Sequence, residues 1–144
     1  MLLLLLLFPL FFSVSGDDND YMKCPFGWTL YNSHCYRAFQ KYSNWMDADF
    51  YCARSESHLV NIEGSDEGQF LANLISNRLL VTTAWMGGFV RARSAELEWT
   101  NGLGGVTTDV QVRQHNMCLL IKGGEVGSSR CSEIYPFVCK KAAL

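Results

Sequence analysis

Six cysteines constrain this chain more than any other feature of its sequence. They are Cys24, Cys35, Cys52, Cys118, Cys131 and Cys139. An even number of cysteines in a small secreted domain favours a disulfide framework, and six cysteines allow about 15 pairings. Structural zinc is the weaker interpretation, because such sites usually need cysteines separated by two to four residues and this chain has none so close. The sequence therefore predicts a small domain held by three disulfides.

The amino-terminal segment predicts secretion. Residues 2–12 are almost all Leu and Phe, and small residues at 13–16 precede an acidic run at 17–20. This is the layout of a signal peptide, and so short an apolar run falls well below the roughly 20 residues that a membrane helix needs. We expect a signal peptide over 1–16, cleavage near Ser15 or Gly16, and one domain over 17–144 that is secreted without a membrane anchor.

The charge of the chain argues against two classes of partner. Twelve Lys and Arg residues oppose 14 Asp and Glu residues, which gives a net charge of −2, and residues 1–16 carry no charged side chain. This balance provides no electrostatic footprint for nucleic acid. No polybasic stretch is available for anionic membranes either. We therefore expect neither partner.

Hydrophobic patterning predicts an α+β fold. A first helix is expected after Asn44, which caps it, with Trp45, Ala48 and Cys52 on its inner face. A second helix is expected with Ser65 as its cap and with a buried stripe formed by Phe70, Leu71, Leu74 and Ile75. A hairpin or paired strands are predicted over 28–39, and further strands at 58–62, 84–90, 97–100, 117–121 and 137–139.

The residues that enzymes use show no catalytic arrangement in this sequence. None of the three histidines lies near a serine or an acid in a recognisable nucleophile motif, and no Gly-rich phosphate loop is present. We expect His58 to be a satisfied or surface imidazole, and Trp85 and Trp99 to be core anchors. The sequence therefore predicts a binding protein with no enzymatic activity and no cofactor.

Several motifs together resemble the long form of the C-type lectin-like domain family. The residues in question are CPFGW at 24–28, SHLV at 57–60, WMGG at 85–88, EWTNG at 98–102 and YPFVCK at 135–140. The resemblance covers about residues 22–141. It implies two helices with small antiparallel sheets and three pairings, Cys24 with Cys35, Cys52 with Cys139, and Cys118 with Cys131. No cysteine is then left for a disulfide-linked oligomer.

Members of this family that bind sugar do so through calcium, and this chain departs from their pattern. Calcium needs six to eight oxygen ligands. Segment 102–117 has no proline where the family carries EPN or QPD, Asn116 stands where an acid is expected, and 126–130 lacks the WND triplet. Asp109 is the only acid in the loop. We therefore expect no metal site and no calcium-dependent sugar binding.

The resemblance places segments 91–96 and 101–116 at the recognition end of the domain. The predicted ligand-binding residues are Arg91, Arg93, Asn101, Thr107, Thr108, Arg113, His115 and Asn116. Arg113 is the strongest single candidate, because its guanidinium can engage a carboxylate, a sulfate or an aromatic face. For any one of these residues, the alternative is an ordinary solvated loop side chain.

Three functions remain open from the sequence. The leading hypothesis is calcium-independent recognition of an extracellular protein or surface ligand. The first alternative is a lectin that binds a glycan through an atypical site. The second is an ice-binding or mineral-binding protein, for which Thr82, Thr83, Thr107 and Thr108 offer hydroxyl and methyl groups.

Overall fold

The computed structural model describes residues 22–90, 97–100 and 117–144. In this part of the chain two helices, α1 (Trp45–Arg54) and α2 (Ser65–Arg78), pack against one sheet. The strands are β1 (Thr29–Tyr31), β2 (His34–Ser43), β3 (His58–Leu59), β4 (Thr83–Val90), β5 (Leu97–Trp99), β6 (Met117–Lys122), β7 (Glu125–Arg130) and β8 (Tyr135–Ala142). The predicted α+β fold with two helices is confirmed.

The strands join in the order β1-β2-β8-β4-β6-β7, with β3 paired to β8 and β5 paired to β4. All pairings of the described strands are antiparallel except one between β4 and β8, at Trp85 and Phe137. The strands thus form a single mixed sheet, where we expected small antiparallel sheets. Both Trp85 and Phe137 have no exposed surface, and Trp99 is also buried, so the tryptophan prediction is confirmed.

Helix α1 begins where its local chemistry predicts. The Asn44 side-chain oxygen accepts a hydrogen bond from the Asp47 backbone N–H at 2.9 Å, which satisfies one of the free donors of the first turn. Ala48 and Cys52 are fully buried on the inner face. Trp45 is half-buried, and its indole N–H donates to the Met86 carbonyl at 2.7 Å.

Helix α2 is capped one residue earlier than predicted. Gly64 is the N-cap and has no side chain to bond, so the assignment of Ser65 as the cap is wrong. The Glu67 carboxylate instead reaches back and accepts from the Glu63 backbone N–H at 2.9 Å. On the predicted stripe, Leu71, Leu74 and Ile75 are buried, whereas Phe70 is half-buried and stacks on Tyr31 with ring centroids 4.2 Å apart.

Disulfides join all six cysteines within the chain. The pairs are Cys24–Cys35, Cys52–Cys139 and Cys118–Cys131, as the family resemblance implies. The second pair fixes α1 to β8, because Cys52 lies in α1 and Cys139 in β8. A bridge that closes so long a segment of chain restricts the unfolded state strongly.

Strand β7 is absent from the sequence prediction. Its centre is Gly127-Ser128-Ser129, which gives no apolar alternation. The strand forms because it pairs with β6 along its whole length, from Met117↔Arg130 to Lys122↔Glu125. The intervening Gly123 and Gly124 have φ values of +57° and +84°, a backbone region that glycine adopts at little steric cost.

Candidate functional site

The two strand ends that flank segment 91–96 and the strand end that follows segment 101–116 lie at one end of the sheet. Val90 of β4 pairs with Leu97 of β5, and Phe89 pairs with Cys118 of β6. Met117, the residue before Cys118, pairs with Arg130 at the end of β7. We call the four residues Val90, Leu97, Met117 and Arg130 the loop-bearing end.

All eight predicted ligand-binding residues lie outside the described residues. They are Arg91, Arg93, Asn101, Thr107, Thr108, Arg113, His115 and Asn116. The chain connects these segments to the loop-bearing end at Val90, Leu97 and Met117. Their role in binding stays a prediction.

A network of short contacts fixes α1 beneath the loop-bearing end. The Trp45 backbone N–H donates to the Cys131 carbonyl at 3.1 Å, and the Trp45 ring packs on Phe89 with centroids 5.2 Å apart. The Cys118–Cys131 disulfide joins the start of β6 to the segment after β7. The base of the site is therefore held both covalently and by hydrogen bonds.

The point at which segment 101–116 leaves the sheet is set by a close backbone approach. The Thr100 N–H donates to the Gly87 carbonyl, and the Gly87 N–H donates to the Val60 carbonyl, both at 2.9 Å. A Cβ atom at Gly87 would lie 2.7 Å from the Leu59 carbonyl oxygen and 2.8 Å from the Thr100 hydroxyl oxygen. Only glycine allows the three segments to approach so closely.

Two titratable groups, Asp49 and His58, lie on the helical side of this base. Burial raises the pKa of the Asp49 carboxyl, and the nearby His58 acts in the opposite direction. Burial lowers the pKa of His58, whose Nδ1 lies 2.8 Å from the Leu59 carbonyl oxygen. His58 is a half-buried imidazole with a hydrogen-bond partner, which confirms the structural assignment made from sequence.

The described residues include neither a cluster of metal ligands nor a membrane-spanning helix. Across residues 22–90, 97–100 and 117–144, no group of three or more His, Cys, Asp or Glu side chains is placed to hold a metal ion. Segment 101–116 lies outside that range, so the expected lack of a calcium site stays a prediction. Neither α1 nor α2 is long and apolar enough to cross a membrane.

Sequence reasoning missed a surface on the outer side of β2, β8 and α1. There Arg37, Lys41 and Lys141 lie over the aromatic rings of Phe39, Tyr51 and Trp28. The residues are far apart in sequence and no short motif unites them. One signal was available, because the segments that form β2 and β8 contain Lys and Arg but no Asp or Glu.

Comparisons of sequence and of structure with known proteins find the same kind of domain. The family described as the lectin C-type domain matches residues 41–141. A snaclec from Daboia siamensis, the coagulation factor X-activating enzyme light chain 1, is 33% identical over 134 residues, which is 90% of each chain. Among solved structures, human lithostathine has a TM-score of 0.73 at 25% identity and covers 83% of this chain and 99% of its own. EMS16, an antagonist of the collagen receptor integrin α2β1, has a TM-score of 0.64 at 27% identity, with coverage of 83% and 99%.

Proposed function

Because this chain belongs to the C-type lectin domain family, we propose that it is a secreted protein that recognises an extracellular protein, without calcium, through segments 91–96 and 101–116. The single observation that carries the proposal is the convergence of strand ends at the loop-bearing end. Val90 and Leu97 flank the first segment, and Met117 closes the second. Segments attached to a rigid sheet near one of its ends are well placed to act together in recognition.

The rigidity of the base supports a binding role. A loop held by fixed ends loses less conformational entropy on binding than a loop on a mobile base. The disulfide next to Met117, the contact of Trp45 with Cys131 and the approach of Thr100 to Gly87 all restrict those ends. The fold therefore provides a preorganised platform for segment 101–116.

The kind of ligand is proposed from the relatives and from the loop sequence. EMS16 antagonises a protein receptor, the integrin α2β1. In this chain Asn116 replaces the acid of the calcium-binding pattern, and segment 101–116 contains Asp109 as its only acid. So few carboxylates supply too few hard oxygen ligands for a tight calcium site. These features favour a protein ligand over a calcium-held sugar.

The proposal includes no catalytic step, no cofactor and no covalent partner. All six cysteines are paired within the chain, so any association with another subunit is noncovalent. The proposed signal peptide over 1–16 releases the domain over 17–144 from the cell. The proposed function involves neither nucleic-acid binding nor a membrane anchor.

The alternatives gain no support from the described residues. Thr82 is exposed and Thr83 is half-buried at the start of β4, while Thr107 and Thr108 lie outside the described range. The described residues therefore contain no threonine array that would favour the ice-binding or mineral-binding alternative. The glycan array described below tests whether the protein binds a glycan through an atypical site.

The test is a ligand screen of the mature, disulfide-bonded protein. One half of the sample is loaded with millimolar calcium, and the other is treated with EDTA and desalted before use. Each half is applied to a panel of extracellular receptor ectodomains and to a glycan array. A protein ligand bound equally well by both samples supports the proposal. Glycan binding that occurs only in the calcium-loaded sample would overturn it.

A further inference from the structure

Three cations on one surface of the protein lie over aromatic rings. The Arg37 guanidinium carbon is 4.8 Å from the centre of the Phe39 ring. The ammonium nitrogen of Lys41 is 4.7 Å from the centre of the Tyr51 ring, and that of Lys141 is 4.4 Å from the centre of the Trp28 ring. We call this surface the cation–aromatic face, and it comprises Trp28, Arg37, Phe39, Lys41, Tyr51 and Lys141.

The three rings form a continuous row. Phe39 lies between the other two, with its centroid 6.4 Å from that of Trp28 and 5.1 Å from that of Tyr51. Both contacts are edge-to-face, a favourable geometry for aromatic pairs. The three cations therefore lie along one surface.

Within the described part of the chain, no carboxylate forms an ion pair with Arg37, Lys41 or Lys141. Lys141 donates a hydrogen bond to the Ser55 carbonyl at 3.1 Å, which leaves its charge uncompensated. The adjacent Lys140 differs, because it is buried and pairs with Glu67 at 2.6 Å. The chain thus neutralises the inner lysine of β8 and leaves the outer one available to an anion.

A fourth cation extends this face. Arg54 of α1 lines a cavity of about 380 Å³ together with Lys41 and Tyr51. The cavity also contains Asp47, whose carboxylate accepts a hydrogen bond from the Asn44 side-chain amide at 3.1 Å. Arg54 thus adds a cation beside Lys41, and Asp47 is the carboxylate that lines the same cavity.

We propose that the cation–aromatic face binds a sulfated polysaccharide. Arg37 and Lys41 are four residues apart on β2, a span of about 13 Å, so one linear polyanion can contact both cations and continue toward Lys141 or Arg54. Several weak contacts to one polymer add up through multivalency. The planar Arg37 guanidinium can engage an oxyanion such as sulfate through two parallel hydrogen bonds.

This surface is separate from the loop-bearing end. Its residues lie in β2, β8, α1 and the segment before β1, whereas the loop-bearing end belongs to β4, β5, β6 and β7. The inference therefore does not depend on the proposed function, and the two can fail independently.

The test is isothermal titration of the mature, disulfide-bonded protein with a heparin octasaccharide. The variant Lys41→Gln is compared with Lys122→Gln, which removes the same charge from an exposed position in β6 away from the loop-bearing end. We expect Lys41→Gln to weaken binding by about threefold or more, Arg37→Gln/Lys41→Gln by about tenfold or more, and Lys122→Gln by less than about twofold. Charge-preserving Arg37→Lys/Lys41→Arg should keep most of the affinity. Binding to the wild type should weaken as sodium chloride is added.

Two further ligands distinguish a sulfated polysaccharide from an acidic peptide as the occupant of this face. N-acetylated, desulfated heparin should bind poorly, and polyglutamate should bind more weakly than heparin. Equal losses in Lys41→Gln and Lys122→Gln, or no binding of heparin at low salt, would overturn the proposal. Polyglutamate binding as tight as that of heparin would assign the face to acidic proteins instead.

A measurement on the wild type guards against misfolded variants. Lysine acetylation is mapped by mass spectrometry with and without the octasaccharide. Protection of Lys41 and Lys141, with Lys122 still reactive, supports the proposal. Equal reactivity of all three lysines in both samples would contradict it.

Discussion

Glu67 and Lys140 form an ion pair in the interior, with the Lys140 ammonium nitrogen 2.6 Å from one Glu67 carboxylate oxygen and the two side chains only 9% and 2% exposed. The same oxygen accepts a hydrogen bond from the Tyr36 hydroxyl at 2.8 Å. The second oxygen accepts from the Glu63 backbone N–H. One carboxylate thus connects the start of α2 to β2 and β8. Burial raises the pKa of Tyr36, and the Glu67 contact acts in the same direction.

The first prediction concerns the cost of breaking this pair. Glu67→Ala leaves the Lys140 ammonium buried without its counter-charge, which should lower the free energy of unfolding by about 3–5 kcal/mol. Urea denaturation with the disulfides intact measures the change. Asp66→Ala is the control, because Asp66 is exposed in the same helical turn and should cost about 1 kcal/mol or less. Similar values for the two variants would mean that the pair contributes little.

The second prediction ranks two disulfides by the length of chain that each closes. Cys52 and Cys139 are separated by 87 positions, whereas Cys24 and Cys35 are separated by 11. In the chain-entropy model, loss of the first bridge costs about 4.5 kcal/mol and loss of the second about 3 kcal/mol. Paired Cys→Ala variants, measured by thermal and urea unfolding, test this order. The prediction is wrong if the variant that lacks Cys24 and Cys35 is less stable than the variant that lacks Cys52 and Cys139.

The third prediction contrasts two glycines. Gly87→Ala should destabilise the protein by about 1–3 kcal/mol, because the new Cβ would meet the Leu59 carbonyl oxygen at 2.7 Å. Gly68→Ala, inside α2, should stabilise it by about 0.5–1 kcal/mol, because its Cβ meets only the Gly124 carbonyl oxygen at 3.8 Å and alanine favours the helix. We expect the denaturant midpoint to fall in Gly87→Ala and to rise in Gly68→Ala. A neutral Gly87→Ala variant would show that the backbones beneath segment 101–116 can separate at little cost.

The fourth prediction concerns pH. Burial is the main cause that lowers the pKa of His58 from its usual 6.5, and Lys140 and His34 lower it further, while the Leu59 carbonyl and Asp49 oppose the change. The unfolded chain therefore binds a proton at His58 more readily than the folded chain does. The stability contributed by this group is complete above about pH 6.5 and is lost as the pH falls through the folded-state pKa.

His58→Gln should accordingly reduce the loss of melting temperature between pH 7 and about pH 5.5. Burial raises the pKa of the Asp49 carboxyl, so protonation of Asp49 contributes in the opposite direction as the pH falls. If His58→Gln leaves the pH profile unchanged, the neutral form of His58 does not contribute to folding in this range.

Local chemistry explains which elements could be predicted from the sequence. Asn44 caps α1 through a contact three residues away, and such short-range signals are visible in the chain. The start of α2 was misplaced because Glu67 takes over the role of a capping side chain while it pairs with Lys140, and that pairing depends on tertiary structure. Strand β7 was missed because its pairing with β6, and not its composition, makes it a strand.

The two candidate binding surfaces also differ in how far the sequence could reveal them. The loop candidates at 91–116 were found only through the resemblance to a family, because their composition is that of any polar loop. The cation–aromatic face depends on the register that sets Cys35 opposite Lys141, which brings residues of β8 beside those of β2. No local pattern in the chain reveals that neighbourhood.

The most direct test of the central claim is the affinity of the triple variant Arg113→Ala/His115→Ala/Asn116→Ala for a protein ligand found in the ectodomain screen. Its control is Arg78→Ala/Gln69→Ala/Asn73→Ala, which removes similar side chains from exposed positions on α2. Circular dichroism first establishes that both variants fold. We expect the loop variant to lose about 2 kcal/mol or more of binding free energy, with and without calcium, and the control to bind like the wild type. Unchanged binding by the folded loop variant, or wild-type binding that disappears when calcium is removed, would contradict the account.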